Sequence, residues 1–388
     1  MINLLDLNHI FPELILFIGS IIILLYGAFS SKKSFTNINL ITLVTLLSAI
    51  MSIFFLSNYA SISNNLYVNS PLTKYIKFFI LIIAFLAVYI SSNYLKKNQL
   101  NIFEYPVLLL FSVIGMLVMV SANDLIILYI SIELQSLSLY VLVALRRNSI
   151  KASEAALKYF ILGSIASAVI LYGASMIYSV TGATNYELIE LYSDLSNDNL
   201  ILSFGLILVI SGIAFKLSAA PFHMWTPDVY EGSPSSVTTI LVTMPKLAAL
   251  IVLINLLLNP FSNQVDVWQS IIIIISVLSM AIGSISALKQ DNLKRLFAFS
   301  TIANIGYVLI GLASIQEQAI EASLLYIFIY TLGTLGVFSF IMILRRDEKQ
   351  LVSISDISGI SNSKPVLTLC LTILLLSLAG IPPFGGFF

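Results

Sequence analysis

Apolar residues run along this chain in blocks of roughly twenty, separated by short polar connections. A helix rising about 1.5 Å per residue crosses a hydrocarbon core of about 30 Å in about 20 such residues. The pattern predicts twelve spans, near 11–29, 38–57, 76–95, 106–122, 124–145, 158–180, 200–222, 237–257, 270–288, 294–312, 321–344 and 366–388. The connections leave no room for a separate water-soluble domain, so the predicted fold class is an all-α polytopic membrane protein. Composition agrees. Of 388 residues, 59% are hydrophobic and 10% charged, and the mean hydropathy is +1.00. No soluble core can hide that much apolar surface.

Net charge is zero, but the distribution of charge is informative. Lys32, Lys33, Lys96, Lys97, Arg146, Arg147, Lys151, Lys158, Lys289, Lys294, Arg295, Arg345, Arg346, Lys349 and Lys364 lie in or beside the loops after odd-numbered spans. The loops after even-numbered spans hold two bases, Lys74 and Lys77, among acids such as Glu187, Glu190, Asp194, Asp198, Asp266 and Glu317. Basic residues stay on the cytoplasmic or matrix side of a membrane. Odd loops are therefore expected there and the N-terminus outside, consistent with Asp6 and Glu13 at the first span. The loop after span seven departs from the pattern, with Asp228 and Glu231 and no base.

Other features narrow the chemistry. The acidic start predicts no cleavable signal. The lone Cys370 excludes a disulfide framework or a cluster built on the chain's own cysteines. His9 and His223 lie far apart, which weighs against an axial haem pair, and no glycine-rich phosphate loop follows a strand pattern. The expectation is a chain that binds no redox cofactor and no nucleic acid and does no redox chemistry itself.

Three charges, Glu133, Lys216 and Lys246, fall inside spans. Each costs about 2.5–3.5 kcal/mol at mid-bilayer, and such groups usually mark an ion or proton path. In span five, Tyr129, Glu133, Ser136 and Tyr140 share one helix face, with Ser131, Gln135 and Ser138 beside it. The competing reading of Glu133 is a structural carboxylate held by neighbouring hydroxyls. In span seven, Lys216 and His223 flank Pro221, which leaves the carbonyl of Leu217 without its helical donor and predicts a break. Irregular backbone at membrane depth belongs in a protein-lined or wet cavity. The alternative is a kink, with Lys216 snorkelling to the surface. In span eight, Pro245 is expected to free the carbonyl of Leu241, and Lys246 shares a face with Thr239 and Thr243. Lys246 has about ten apolar residues on either side, so it is the most deeply placed charge in the chain. A Glu133–Lys216 pair that forms and breaks would switch a lysine between holding and releasing a proton. Ser300, Asn304 and Tyr307 in span ten, and Tyr326, Tyr330 and Thr334 in span eleven, are expected to pack helices together.

Six blocks then carry a resemblance: SIELQSLSLYVLVALRR (131–147), EAALKYFILGS (154–164), FKLSAAPFHMWTPDVYEGSPSSVT (215–238), MPKLAAL (244–250), LKRLFAFSTIANIGYVLIG (293–311) and SLAGIPPFGGFF (377–388). In order and in kind they resemble the antiporter-like N subunits of respiratory NADH:quinone oxidoreductase, complex I. The resemblance implies an antiporter-like fold with inverted five-helix repeats and broken helices at spans 7 and 12, the latter at Pro382 and Pro383. It divides the chain into helices 1–3 (1–100), a first repeat (101–257) and an incomplete second repeat (258–388). It implies a proton relay through Glu133, Lys158, Lys216, His223 and Lys246. Lys158 is a residue that charge position alone reads as a cytoplasmic anchor. FMN, iron–sulfur clusters and quinone are implied in partner subunits, and the partners are the other complex I membrane subunits and the lipid bilayer.

One departure stands out. The resemblance implies a further lysine and two more spans beyond IPPFGGFF, so the sequence reads as C-terminally truncated. Two rivals remain open, a subunit of a multisubunit cation/proton antiporter and a non-pumping structural membrane-arm subunit. The expected location is a bacterial inner membrane, with the mitochondrial inner membrane as the alternative.

Overall fold

The computed structural model describes residues 8–29, 35–57, 59–62, 65–195, 200–346 and 349–387. Asp6, Lys32, Lys33 and Asp198 lie outside them. Among the described residues, 10 helices are long and apolar enough to cross a membrane, and two shorter apolar helices, Glu104–Val120 and Pro365–Leu378, complete the twelve predicted spans.

In chain order the spans are α1 (Phe11–Phe29), α2 (Phe35–Ile53), α3 (Pro71–Lys97), α4 (Glu104–Val120), α5 (Leu125–Val143) and α6 (Ile150–Thr181). A short peripheral helix follows, α7 (Tyr186–Leu195). Then come α8 (Leu200–Leu217), α9 (Trp225–Gly232), α10 (Ser235–Val242), α11 (Met244–Leu258), α12 (Val265–Ala287), α13 (Leu293–Ala313) and α14 (Glu317–Ile343). A four-residue turn of helix, α15 (Ile360–Ser363), precedes α16 (Pro365–Leu378). An antiparallel ribbon, β1 (Ala60–Ile62) with β2 (Tyr67–Asn69), closes the end of the bundle near the start of α1. A shorter ribbon pairs β3 (Arg345–Arg346) with β4 (Lys349–Gln350).

Polar caps fix where helices start. Ser70 and Thr73 form a reciprocal capping box at α3, with Pro71 in its first turn. Asp124 accepts from the backbone amides of Ile126 and Ile127 at α5, and its second oxygen accepts a 2.6 Å bond from Thr184. Asn292 caps α13 in the same way, and Gly182 ends α6 in the left-handed region at φ 64°. Helix α6 runs for 32 residues and begins eight residues before the predicted span, carrying Lys151 and Lys158 on its first turns.

The α10–α11 pair forms the centre of the bundle, with 94% of its most apolar stretch buried. Neighbouring spans meet backbone to backbone where glycine permits. A Cβ on Gly115 of α4 would sit 2.7 Å from the amide of Gln135, and one on Gly283 of α12 would sit 2.6 Å from the amide of Ala303.

Two breaks differ in place from the expectation. Span seven stops at Leu217 rather than at Pro221, because Ser218 turns left-handed at φ 64°. The exposed carbonyls of the last turn are met from other directions. Ser218 and Ala219 amides donate back to Phe215 and Ala214, the Trp225 indole donates to Phe215, and Lys246 donates to Lys216. Span eight is two helices, interrupted at Thr243 (φ −109°, ψ −92°), and Pro245 occupies the first turn of α11, where its missing N–H has no partner to lose. Beyond α16 the chain leaves the helix at Ala379–Gly380, Gly380 having φ 69°, before Pro382 and Pro383.

Candidate functional site

Lys246, the most deeply buried of the predicted residues, has no solvent exposure. Its ammonium donates to the main-chain carbonyl of Lys216 at 2.9 Å and to the hydroxyl of Ser218. The same ammonium lies 4.8 Å from the centre of the Trp225 ring. The break in α8 therefore supplies two of its three contacts, a freed carbonyl and a hydroxyl turned inward by a left-handed residue.

Lys216 is buried on the last turn of α8 and faces α5. It donates to Ser136 Oγ at 2.7 Å and more loosely to Tyr140 OH at 3.4 Å. Glu133 sits one turn earlier on the same face of α5, and among the described residues no carboxylate lies within ion-pair distance of Lys216. Glu133 Oε1 is buried without a hydrogen-bond partner. The structure thus holds Lys216 on the hydroxyls of α5 and leaves the carboxylate beside them unengaged. His223, in the segment between α8 and α9, is half-buried, and its Nδ1 also lacks a partner. The segment is pinned from α12, where Ser279 Oγ accepts a 2.8 Å bond from the amide of Ala220.

Aromatic rings join these positions. Tyr159 stacks on Trp225 with centroids 4.5 Å apart, and Tyr140 packs edge-on against Tyr159 at 4.7 Å. Lys216 meets one end of this stack at Tyr140, 5.8 Å from its ring centre, and Lys246 meets the other at Trp225. Ser218, Tyr159 and Trp225 were not singled out from the sequence. The cue was weak: a tryptophan in the WTPD stretch and a tyrosine following Lys158 carry no helical pattern of their own.

Lys158 stands apart from the buried row. Its side chain is 42% exposed and pairs with Glu154 and Asp228, each at 2.8 Å. Arg295 bridges Asp228 at 2.8 Å and Glu231 at 3.1 Å, and Lys151 reaches Glu231 at 3.2 Å. These residues line a cleft between α6, α9 and α13. The acids of the loop after span seven, the exception in the charge pattern, thus serve as its anchors. Burial alone would raise the Asp228 carboxyl, but hydrogen bonds and charge from Lys158 and Arg295 together hold it below the usual carboxylate range. The same balance, through Arg295 and Lys151, lowers Glu231. Lys294, counted with the loop bases, is in fact buried and donates to the carbonyl of Ser233 at 2.7 Å.

In the second half, Asn304 donates to Ser300 and accepts from Tyr326 at 2.5 Å, while Tyr330 donates to Thr301 at 2.8 Å. Ser300, Asn304, Tyr307 and Tyr326 also line a cavity of about 650 Å³ reaching Gly380. Among the described residues no three His, Cys, Asp or Glu side chains are grouped to hold a metal ion.

Residues 122–388 match the family described as NADH:quinone oxidoreductase/Mrp antiporter, TM. The NADH-quinone oxidoreductase subunit N of Pelagibacter ubique is 43% identical over 388 aligned residues, covering 99% of this chain and 81% of the relative. Subunit N 1 of Rhizobium meliloti is 42% identical, covering 97% and 79%. Among solved structures, a chain of respiratory complex I from Thermus thermophilus with bound aureothin superposes with a TM-score of 0.82 at 28% identity, covering 97% of this chain and 80% of that one. A chain of the Mrp complex from Dietzia shares the fold, with a TM-score of 0.86 at 19% identity over 98% and 72%. The relatives' names, the family match and the shared fold agree, and the chain belongs to the NADH:quinone oxidoreductase/Mrp antiporter family, among its N subunits.

Proposed function

We propose that this chain is a membrane-arm subunit of a proton-translocating NADH:quinone oxidoreductase and moves protons through its buried glutamate and lysines. NADH oxidation and quinone reduction take place in partner subunits, which carry the flavin, iron–sulfur clusters and quinone. The observation that carries the reading is the seat of Lys246. A fully buried ammonium held by a carbonyl, a hydroxyl and a ring, with no counter-ion among the described residues, is costly to keep and easy to discharge to a neighbour. Lys216 lies next to it, within reach of the α5 face that bears Glu133. Glu133, Lys216, His223 and Lys246 form the inner part of the relay. Lys158, tied to Asp228 beside the broken helix, couples the row to the face with the basic loops. That face is the cytoplasm, the N-terminus lies outside, and the membrane is a bacterial inner membrane. Bacterial relatives and the placement of lysine and arginine support this orientation.

The test is proton translocation per electron in membrane vesicles holding the assembled complex, wild type against Lys246→Met and Glu133→Gln. The expected outcome is continued electron transfer with fewer protons moved. An assembled Lys246→Met complex with an unchanged ratio would leave the chain as a structural spacer.

A further inference from the structure

At the end of the bundle that bears the basic loops, a cavity of about 640 Å³ opens between α2, α3 and α14. None of the relay residues lines it. Its wall changes character along the helix axes. Thr36 on the first turn of α2 and Lys97 on the last turn of α3 mark the rim, with Asn39 and Asn93 one turn further in. Below them come Leu43 and Ile90, about another turn down. From Lys97 to Tyr89 this graded wall covers about 12 Å at 1.5 Å per residue. Leu40 and Tyr89 line the cavity and are still 61% and 65% exposed, so it opens sideways onto the surface that lipid covers.

The polar part of this wall is unfinished. Asn39 is only 9% exposed, and among the described residues its side-chain amide makes no hydrogen bond. Buried amides are normally bonded, so this one calls for an occupant of the cavity. The rim beside it is the start of α2, whose leading amides have no acceptor within the helix and favour an anion. Lys97 is exposed and makes no ion pair among the described residues. The apolar part continues outside the cavity. Leu40, Val44, Leu47 and Met51 follow at spacings of 4, 3 and 4, all exposed, and form one apolar face of α2 about 17 Å long. A soluble anion satisfies the rim and leaves this face unused. An apolar helix from a partner covers the face and leaves the Asn39 amide and the Lys97 ammonium without acceptors.

We propose that this cavity binds an anionic diacyl phospholipid drawn from the surrounding bilayer. Its phosphate oxygens accept from Lys97 Nζ, the Asn39 amide and the leading amides of α2. The glycerol lies against the apolar lower wall, and one acyl chain runs along the exposed face from Leu40 to Met51. The volume lies within the roughly 300–1,000 Å³ of small-molecule sites, enough for the head and glycerol with the chains outside. A zwitterionic lipid brings an ammonium beside Lys96 and Lys97 and is disfavoured. Each basic residue facing an anionic lipid is worth about fivefold in binding. The site also touches the centre of the bundle. Tyr94 lines the cavity, and its hydroxyl accepts a 3.2 Å bond from the amide of Ser235, the first residue of α10. The lipid therefore packs against the wall behind the broken eighth span, and it does so whether or not the chain pumps.

The test is photocrosslinking in the assembled complex, with a benzophenone amino acid in place of Leu40 at the mouth of the cavity. The vesicles hold a minor share of phosphatidylglycerol in phosphatidylcholine, and the adducts on this chain are weighed by mass spectrometry. The expected result is phosphatidylglycerol captured at several times its share of the bilayer. Lys97→Gln should cut that enrichment about fivefold, and Lys289→Gln, an exposed base on another loop, should leave it alone. Asn39→Leu, which fills the polar wall, should lower it as well. Capture in the bulk ratio, or adducts to a neighbouring subunit in place of lipid, would overturn the proposal. So would an enrichment that falls equally in Lys289→Gln, or one that answers to Lys97 and not to Asn39, since either marks surface attraction rather than a built site. Because the readout is lipid capture, it is independent of the pumping result for Lys246→Met.

Discussion

The ammonium of Lys246 donates a 2.9 Å hydrogen bond to the main-chain carbonyl of Lys216, so the two buried lysines meet through backbone rather than through a carboxylate. That carbonyl is free only because α8 stops one residue later. The helix break and the placement of the central charge are one structural event.

Replacing Lys246 by methionine removes the charge and leaves the Lys216 carbonyl without its donor. A buried unsatisfied carbonyl costs about 1–3 kcal/mol, and removing a buried charge that has no counter-ion among the described residues offsets part of it. Thermal unfolding of the isolated complex should therefore change little while proton translocation falls, a separation visible by melting and pumping the same preparation.

Ser218 combines a left-handed backbone with a hydroxyl on Lys246. Ser218→Ala keeps the strained φ and loses the hydroxyl, whereas Ser218→Gly loses the hydroxyl and relaxes the backbone. The glycine variant should be the more stable by about 1 kcal/mol, measured as midpoints of chemical unfolding. Equal midpoints would mean that the left-handed turn stores no strain.

Trp225 stacks on Tyr159, covers Lys246 and donates to Phe215. Phe215 keeps a second donor in the Ser218 amide, so Trp225→Phe should cost only about 1 kcal/mol. Trp225→Ala empties a fully packed site and should cost about 3–5 kcal/mol. Comparing the two melts separates the ring from its N–H.

Asp228 and Glu231 have carboxyls held below their usual range by Lys158, Arg295 and Lys151. A lowered folded value means that their contribution to stability is present above about pH 4, the ordinary carboxylate value, and is lost as pH falls through the lower folded values. The melting temperature of the wild type should drop through that acid window. Asp228→Asn should flatten the drop and leave the melt at neutral pH within about 1 kcal/mol, because the cluster is partly exposed.

Gly115 allows α4 to touch the backbone of α5, and an added side chain meets the amide of Gln135 and the carbonyl of Ser131. Gly115→Val should destabilise by about 1–3 kcal/mol. It should also displace the face that holds Ser136 and Glu133, so lower pumping should accompany the lower melt.

Much of this molecule was legible in the sequence because lipid imposes strict rules. Apolar length gave the twelve spans, and the scarcity of charge inside them pointed to Glu133, Lys216 and Lys246. Proline was a less exact guide. Pro221 and Pro245 mark breaks, but the chain turns at Ser218 and Thr243, where contacts from α11, α12 and Trp225 satisfy the freed groups. Charge near a span edge was the weakest signal. Lys77 and Lys294 looked like loop bases and are buried, because Glu13 and the Ser233 carbonyl come from segments far away in sequence, and Asn69 from the ribbon just before α3. The break itself follows from local rules, whereas burial at a span edge depends on which helices become neighbours.

The 32 residues of α6 span about 48 Å at 1.5 Å per residue, well beyond a hydrocarbon core of about 30 Å. Its apolar stretch, 158–180, is about 34 Å long, and a stretch slightly longer than the core answers to bilayer thickness by tilting, at a fraction of a kcal/mol per ångström of mismatch. Lys158 rides on its first turns and holds Asp228 of α9, four residues past the end of the segment that joins α8 to α9. A thinner membrane leans α6 and draws on that ion pair, and a thicker one straightens the helix and slackens it. Lipid acyl-chain length would thereby become a mechanical input to α9, delivered through the two lysines that tie it to α6, Lys158 and Lys151.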